Sequence, residues 1–207
     1  RSPLPPRGGG AGGGGHPADW PADVPPTLEI PAPGGDLRGG ARLHAFPDFG
    51  LYVYRSDRLF LAVRCGRRGQ IATDGHAHVD ELSVELSIDG EDVLADPGTY
   101  LYTALPERRD EYRSARAHFV PRALASGEAA RFARGLFELR DAPVGRCVYW
   151  GPRGFGGVVE VGGTRVVRTV SVEADRVVVG DSGDGTTCAP AAFSPGYGKR
   201  ERPGPAD

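Results

Sequence analysis

The chain has 207 residues, with 32 glycines, 19 prolines, no methionine and a formal net charge of -2. Glycine and proline together make about a quarter of it, near the composition at which low-complexity and disordered sequences begin. The near-balanced charge excludes a general nucleic-acid or membrane-surface binder, and no apolar run reaches the roughly 18 residues that a membrane-spanning helix needs. Its length fits one domain with appendages. The missing methionine is expected of a processed, excised or fragmentary chain, and residues 1–30 lack the charged start and apolar stretch of a signal peptide.

The glycine and proline are unevenly spread. Residues 1–40, with the runs Gly8–Gly10 and Gly12–Gly15, bury too little apolar surface to offset ordering entropy, so the composition predicts a disordered, flexible linker. Within it, Trp20 to Ile30 is expected to run over a neighbouring surface. Residues 41–195 read as one domain and residues 196–207 as a disordered tail. Helical periodicity is nearly absent from the middle, where strand signals recur. Leu51–Tyr54 and Leu59–Val63 flank Ser56-Asp57 as a hairpin. Leu82–Ile88 alternates apolar with polar residues as a half-buried strand, and Asp89-Gly90 is a type I′ turn dipeptide before Val93–Ala95 returns. Later runs are Cys147–Trp150, Val158–Val161, Arg165–Val172 and Arg176–Gly180, separated by the expected loops Gly151–Gly157 and Asp181–Thr187. Short strands at such spacing make the fold class all-β, an antiparallel β-sandwich or barrel. The helical pieces expected are Pro106–Tyr112 and a turn near Ala123–Ala130.

Cys65, Cys147 and Cys188 are odd in number, widely spaced and without a CxxC pair. They read as ordinary buried or half-buried thiols, with a single bridge such as Cys147 to Cys188 left open. His16 sits in the glycine-rich linker, and His44 precedes a strand with a surface or packing role. The informative segment is Gly75-His76-Ala77-His78-Val79-Asp80-Glu81. On an extended backbone His76, His78 and Asp80 share a face. Two adjacent imidazoles favour neutral forms or a metal, so the segment fits a metal site, a metal-free catalytic pair or a structural pair. The hairpin Leu82–Ala95 returns Asp96, which stands before Pro97-Gly98, to the side of His78; on its own Asp96 is equally a turn-capping carboxylate. Arg113-Ser114-Ala115-Arg116-Ala117-His118 adds another imidazole. Two histidines and an aspartate leave a fourth position open, a set that suits zinc.

Together these segments resemble the heparinase II/III-like family of polysaccharide lyases. The matching stretches are Gly75–Ser83, Ala95-Asp96-Pro97-Gly98-Thr99-Tyr100-Leu101-Tyr102-Thr103 and Arg113–His118, with Phe46–Val53 upstream and Arg165–Arg168 downstream. The resemblance covers roughly residues 43–195 and implies the antiparallel β-sandwich that follows an α/α toroid in the family, the toroid itself being missing here. It implies β-elimination of uronate-containing polysaccharide, action outside the cytoplasm (periplasmic, cell-surface or secreted) and an acidic polysaccharide as partner. By position, His76 matches the acid/base histidine. His78, Asp96 and His118 match a structural zinc set. A histidine of near-neutral pKa and a tyrosine suit the two proton transfers of an elimination; Tyr102 and Tyr112 are the candidates to line the cleft. Arg108, Arg109, Arg113, Arg116 and Arg122 form a basic cluster able to meet an acidic glycan, and Arg113, inside the motif, and Tyr102 are the substrate-binding candidates.

One departure is visible. Where the family reads Ala-His-Asn, this chain reads Ala117-His118-Phe119, and the Phe119 side chain offers no hydrogen bond to hold His118. Two other readings compete: a non-catalytic, acidic-glycan-binding sandwich and a cupin-like metalloenzyme. The second fits poorly, because Gly75 abuts His76 and Glu85 comes late.

Overall fold

The computed structural model describes residues 19–66, 76–126, 132, 139 and 142–183. Ten strands occur among them: β1 (Pro26–Pro31), β2 (Arg42–Phe46), β3 (Leu51–Arg55), β4 (Leu59–Arg64), β5 (Val84–Ile88), β6 (Glu91–Leu94), β7 (Arg146–Gly151), β8 (Gly154–Val161), β9 (Thr164–Val172) and β10 (Arg176–Asp181). They form two five-stranded antiparallel sheets, one ordered β1-β10-β9-β8-β7 and the other β2-β3-β4-β5-β6. This is the expected all-β sandwich. The β3–β4 and β5–β6 hairpins stand where the alternation placed them. Asp89 and Gly90 both have positive φ, 54° and 86°, as a type I′ turn requires.

The inward faces of both sheets meet in one core. Tyr52 and Tyr54 of β3 pack edge-on against Trp150 of β7, with ring centroids 5.3 and 4.5 Å apart, and Tyr52 also meets Phe155 of β8 at 5.2 Å. Leu61, Val63, Leu86, Val159, Val170 and Val179 fill the space around them. Burying each such side chain contributes about 1.5–3 kcal/mol, so this layer dominates stability.

Three expectations change. The linker does not extend to residue 40: β1 pairs with β10 from Pro26 to Pro31, and Leu37 is fully buried. The alternation in Thr27–Ile30 is too short, and too closely bracketed by prolines, to stand out as a strand. At the edge of a sheet, however, prolines are tolerated. Trp20 does lie over a neighbouring surface, its ring 5.2 Å from that of Tyr149 and beneath the Arg153 guanidinium. The stretch 151–157 is not a loop, since β8 begins at Gly154. Its glycines meet close neighbours instead: a Cβ on Gly157 would stand 2.5 Å from a Leu82 methyl and 2.8 Å from the Phe155 ring. Strand β2 also lies in what was read only as the approach to a strand, with His44 exposed on it. Residues 1–18 and 196–207, and with them His16, lie outside the described residues.

The connection from β6 to β7 carries the only α-helix among the described residues, α1 (Pro106–Arg113), and two 3₁₀ turns, Ala115–Ala117 and Arg122–Ala125. Pro106 occupies the first helical turn, where its missing N–H costs nothing. The Val79 amide donates to the Arg113 carbonyl and the Val84 amide to the Phe119 carbonyl. This connection is thereby laid against the segment that leads into β5. Cys65 is buried and Cys147 half-buried, both as free thiols; Cys188 lies outside the described residues.

Candidate metal centre and adjoining histidine

The two segments that meet here are 76–83, entering β5, and 114–119, after α1. His118 is buried. Its Nδ1 lies 2.8 Å from the Ser114 carbonyl oxygen, so Nδ1 carries the proton and donates, and the lone pair of Nε2 is left to point away. That Nε2 stands 3.1 Å from His78 Nδ1 and 3.3 Å from Asp96 Oδ2. The three ligand atoms all lie within 4.8 Å of one another. The hairpin does return Asp96 to His78, and the Asp96 carboxylate both caps the turn and lies beside the imidazoles. Its Oδ1 accepts the Gly98 amide at 2.8 Å, while Oδ2 faces the imidazoles.

Electrostatics agree with a shared occupant. Burial, and next the charge of His118, hold His78 well below the ordinary histidine value. Burial would also lower His118, but the hydrogen bond and charge of Asp96 outweigh it and raise it. Asp96 is pushed up by burial and pulled down further by His118 and the Gly98 amide, so it stays ionised. One anion, one lone pair from His118 and a neutral His78 form a donor set for a divalent cation.

The alternation expected of His76, His78 and Asp80 is broken, because residues 76–83 are not a strand. His76 is exposed and turns away from the centre, with Nδ1 3.3 Å from the Tyr102 hydroxyl and the rings 5.7 Å apart. Asp80 is half-buried with Oδ1 shielded from solvent, and burial raises its carboxyl. Tyr102 is 42% exposed, open enough to meet a ligand. Tyr112 is buried and stacks on Tyr100 at 5.1 Å. Arg113 is buried: its Nε donates to the Ala77 carbonyl at 2.9 Å, between the two histidines. Arg109 is buried against Asp110, and Arg108 pairs with Glu111. Of the basic cluster, Arg108, Arg116 and Arg122 are exposed. A cavity of about 320 Å³ borders Asp96, and a larger one of about 740 Å³ lies around Tyr52, Cys65 and Cys147, without His76 in its lining.

The family model described as "Heparinase II/III-like, C-terminal" matches residues 38–119, which include His76, His78, Asp96 and His118. Over those residues the chain is similar to the heparinase II/III-like C-terminal family. Two solved structures titled as heparinase III, BT4657 gene product, one of them with methylated lysines, are similar at 18% identity and a TM-score of 0.48. Each match covers 68% of this chain and 22% of that one, so the likeness spans about a fifth of those proteins. No curated protein matches the chain.

The family match ends at Phe119, and two further buried residues, Glu81 inside the motif and Arg168 beyond the match, hydrogen-bond backbone near these segments. Glu81 is buried and accepts the Gly66 and Gly145 amides through Oε2 at 3.1 and 3.0 Å. Arg168 reaches across from the opposite sheet. The strand run 165–172 and the downstream stretch Arg165–Arg168 of the family resemblance mark Arg168 in the sequence, but nothing local announces its partners.

Proposed function

We propose that this domain is the β-sandwich part of a polysaccharide lyase that cleaves uronate-containing polysaccharide by β-elimination. The observation that carries the reading is the exposed His76 imidazole against the Tyr102 hydroxyl, near a half-buried His/Asp cluster. In the elimination a base takes the C5 proton of the uronate, the C4–O bond breaks, a C4=C5 double bond forms and the departing oxygen takes a proton. His76 is the acid/base group of this reading, and Tyr102 orients its Nδ1 and lines the cleft. Neutralising the uronate carboxylate falls to an α/α toroid domain, which the family resemblance implies. Arg113, buried behind Ala77, holds the His76–His78 segment in place rather than meeting the sugar.

His78 Nδ1, Asp96 Oδ2 and His118 Nε2 would hold zinc, whose charge, when bound, ties the segment before β5 to the one after α1. That role is structural, since His76 points elsewhere. Such an enzyme works where the polymer is, in the periplasm, at the cell surface or in the medium.

The test joins the chain to the α/α toroid of a heparinase II/III-like enzyme and follows the ultraviolet absorbance of unsaturated uronate products on heparan sulfate, alginate and other acidic polymers. Product formation that His76→Ala abolishes supports the reading. No product from any polymer overturns it, and binding to acidic polymer that survives His76→Ala without turnover marks a glycan-binding module instead.

A further inference from the structure

We propose that Arg168 is the positioning residue of the His78–Asp96–His118 centre, acting from the opposite sheet through two backbone carbonyls. This rests on the metal reading of those three residues. Arg168 projects from β9 and is fully buried. Its Nε and Nη2 each lie 2.8 Å from an oxygen of buried Asp181, a bidentate pair that neutralises the guanidinium. The remaining nitrogen, Nη1, carries two N–H groups, and both are used. One donates to the Leu82 carbonyl and the other to the Phe119 carbonyl, each at 2.7 Å.

Those two carbonyls belong to the two ligand segments. Leu82 follows His78 by four residues, and Phe119 follows His118 directly. One nitrogen atom therefore sets the distance between the stretch that carries His78 and the stretch that carries His118. Leu82 is held at φ 62°, a left-handed conformation that a side chain resists. Such strain persists only where the surroundings over-determine it. Here the Leu82 amide donates to the Arg64 carbonyl while its carbonyl accepts from Arg168. The Phe119 ring lies beneath the guanidinium at 5.1 Å. The sequence departure at Phe119 thus has a use: where the family has an asparagine side chain, this chain sets an aromatic face beneath the Arg168 guanidinium, beside the backbone carbonyl that any residue there would supply. Lysine cannot reproduce this, because its three donors radiate from one point and cannot span a carboxylate and two carbonyls.

The test measures zinc affinity of the full chain by chelator competition, and the visible spectrum of bound Co²⁺, in three variants. R168K keeps the charge facing Asp181. R168M/D181L removes both charges together, so that neither is left buried alone. V177A opens the core of β10 far from the ligands and is a control for lost stability. Both Arg168 variants are expected to bind zinc about 10–100-fold more weakly, as outer-shell changes do, with an altered Co²⁺ spectrum. V177A is expected to keep wild-type affinity and spectrum. Wild-type affinity in either Arg168 variant, or an equal loss in V177A, overturns the proposal. If neither Arg168 variant folds, Arg168 is a strut of the whole sandwich and the assignment falls. A wild-type chain that takes up no zinc removes the metal reading, and the assignment with it.

Discussion

Asp96 and His118 are joined through one oxygen while the other oxygen of the same carboxylate closes a turn. Oδ2 of Asp96 lies 3.3 Å from His118 Nε2, and Oδ1 accepts the Gly98 amide. The turn thereby aims the carboxylate, and the centre inherits its geometry from backbone that follows a β-hairpin.

The two jobs of Asp96 separate by substitution. Asparagine can still accept the Gly98 amide but brings no negative charge to the imidazoles. D96N is expected to change unfolding free energy in chelator by no more than about 0.5 kcal/mol, while zinc affinity falls by at least about tenfold. D96A loses the cap as well and costs about 1 kcal/mol further. Denaturant unfolding in chelator and calorimetric zinc titration check both numbers. Equal zinc affinity in D96N would remove Asp96 from the ligand set.

His76 should behave in the opposite way. It is exposed, and its ring nitrogen meets the Tyr102 hydroxyl, so H76A should leave stability within about 0.5 kcal/mol and leave zinc affinity unchanged. In a toroid-joined enzyme the same substitution should cost about 10²–10⁴ in turnover, the range of a lost general acid or base. A variant that unfolds, or loses metal, would place His76 in the structural centre instead.

The strands of the inner sheets were legible because period-two alternation is a local property of the sequence. The Asp89-Gly90 turn and the Pro106 helix start were legible for the same reason. Strand β1 was not, because its pairing with β10 joins residues about 150 apart and its prolines mimic a linker. The glycines of 151–157 suggest a loop, but only Pro152-Arg153 turns; Gly156 and Gly157 lie in β8, where Pro21 and Leu82 approach closely. In the site, the motifs brought His78, Asp96 and His118 together correctly, but strand geometry put His76 in the same space. That geometry fails because residues 76–83 are turns and irregular backbone rather than a strand, held by contacts such as the Val79 amide with the Arg113 carbonyl that join residues distant in sequence.

Gly157 offers a direct check of that close approach. A methyl group there would stand 2.5 Å from a Leu82 methyl and 2.8 Å from the Phe155 ring, inside a packed core. G157A should destabilise by about 1–3 kcal/mol, the usual cost of overpacking. Because the pressure falls on Leu82, zinc affinity should fall with it. Thermal unfolding with and without metal measures both, and an unchanged melting temperature would mean that the β8 backbone does not pack against Leu82 as described.

Glu81 makes stability depend on pH in a direction opposite to most carboxylates. Burial, opposed by Arg64 and the Gly66 amide, raises its pKa from 4.5 to about 7. Between those values the folded chain holds a proton that the unfolded chain has released. Folded stability from this group therefore falls as pH rises from about 4.5 to about 7, and is level outside that window. At about 1.4 kcal/mol per unit the fall amounts to about 3 kcal/mol at most. Glutamine keeps an oxygen for the Gly66 and Gly145 amides and cannot ionise, so E81Q should lack this component. The difference between wild type and E81Q in denaturant unfolding, measured in steps across the window, isolates Glu81 from the other carboxylates. A difference that stays constant with pH would show that Glu81 is ionised throughout, held by Arg64 at 3.6 Å.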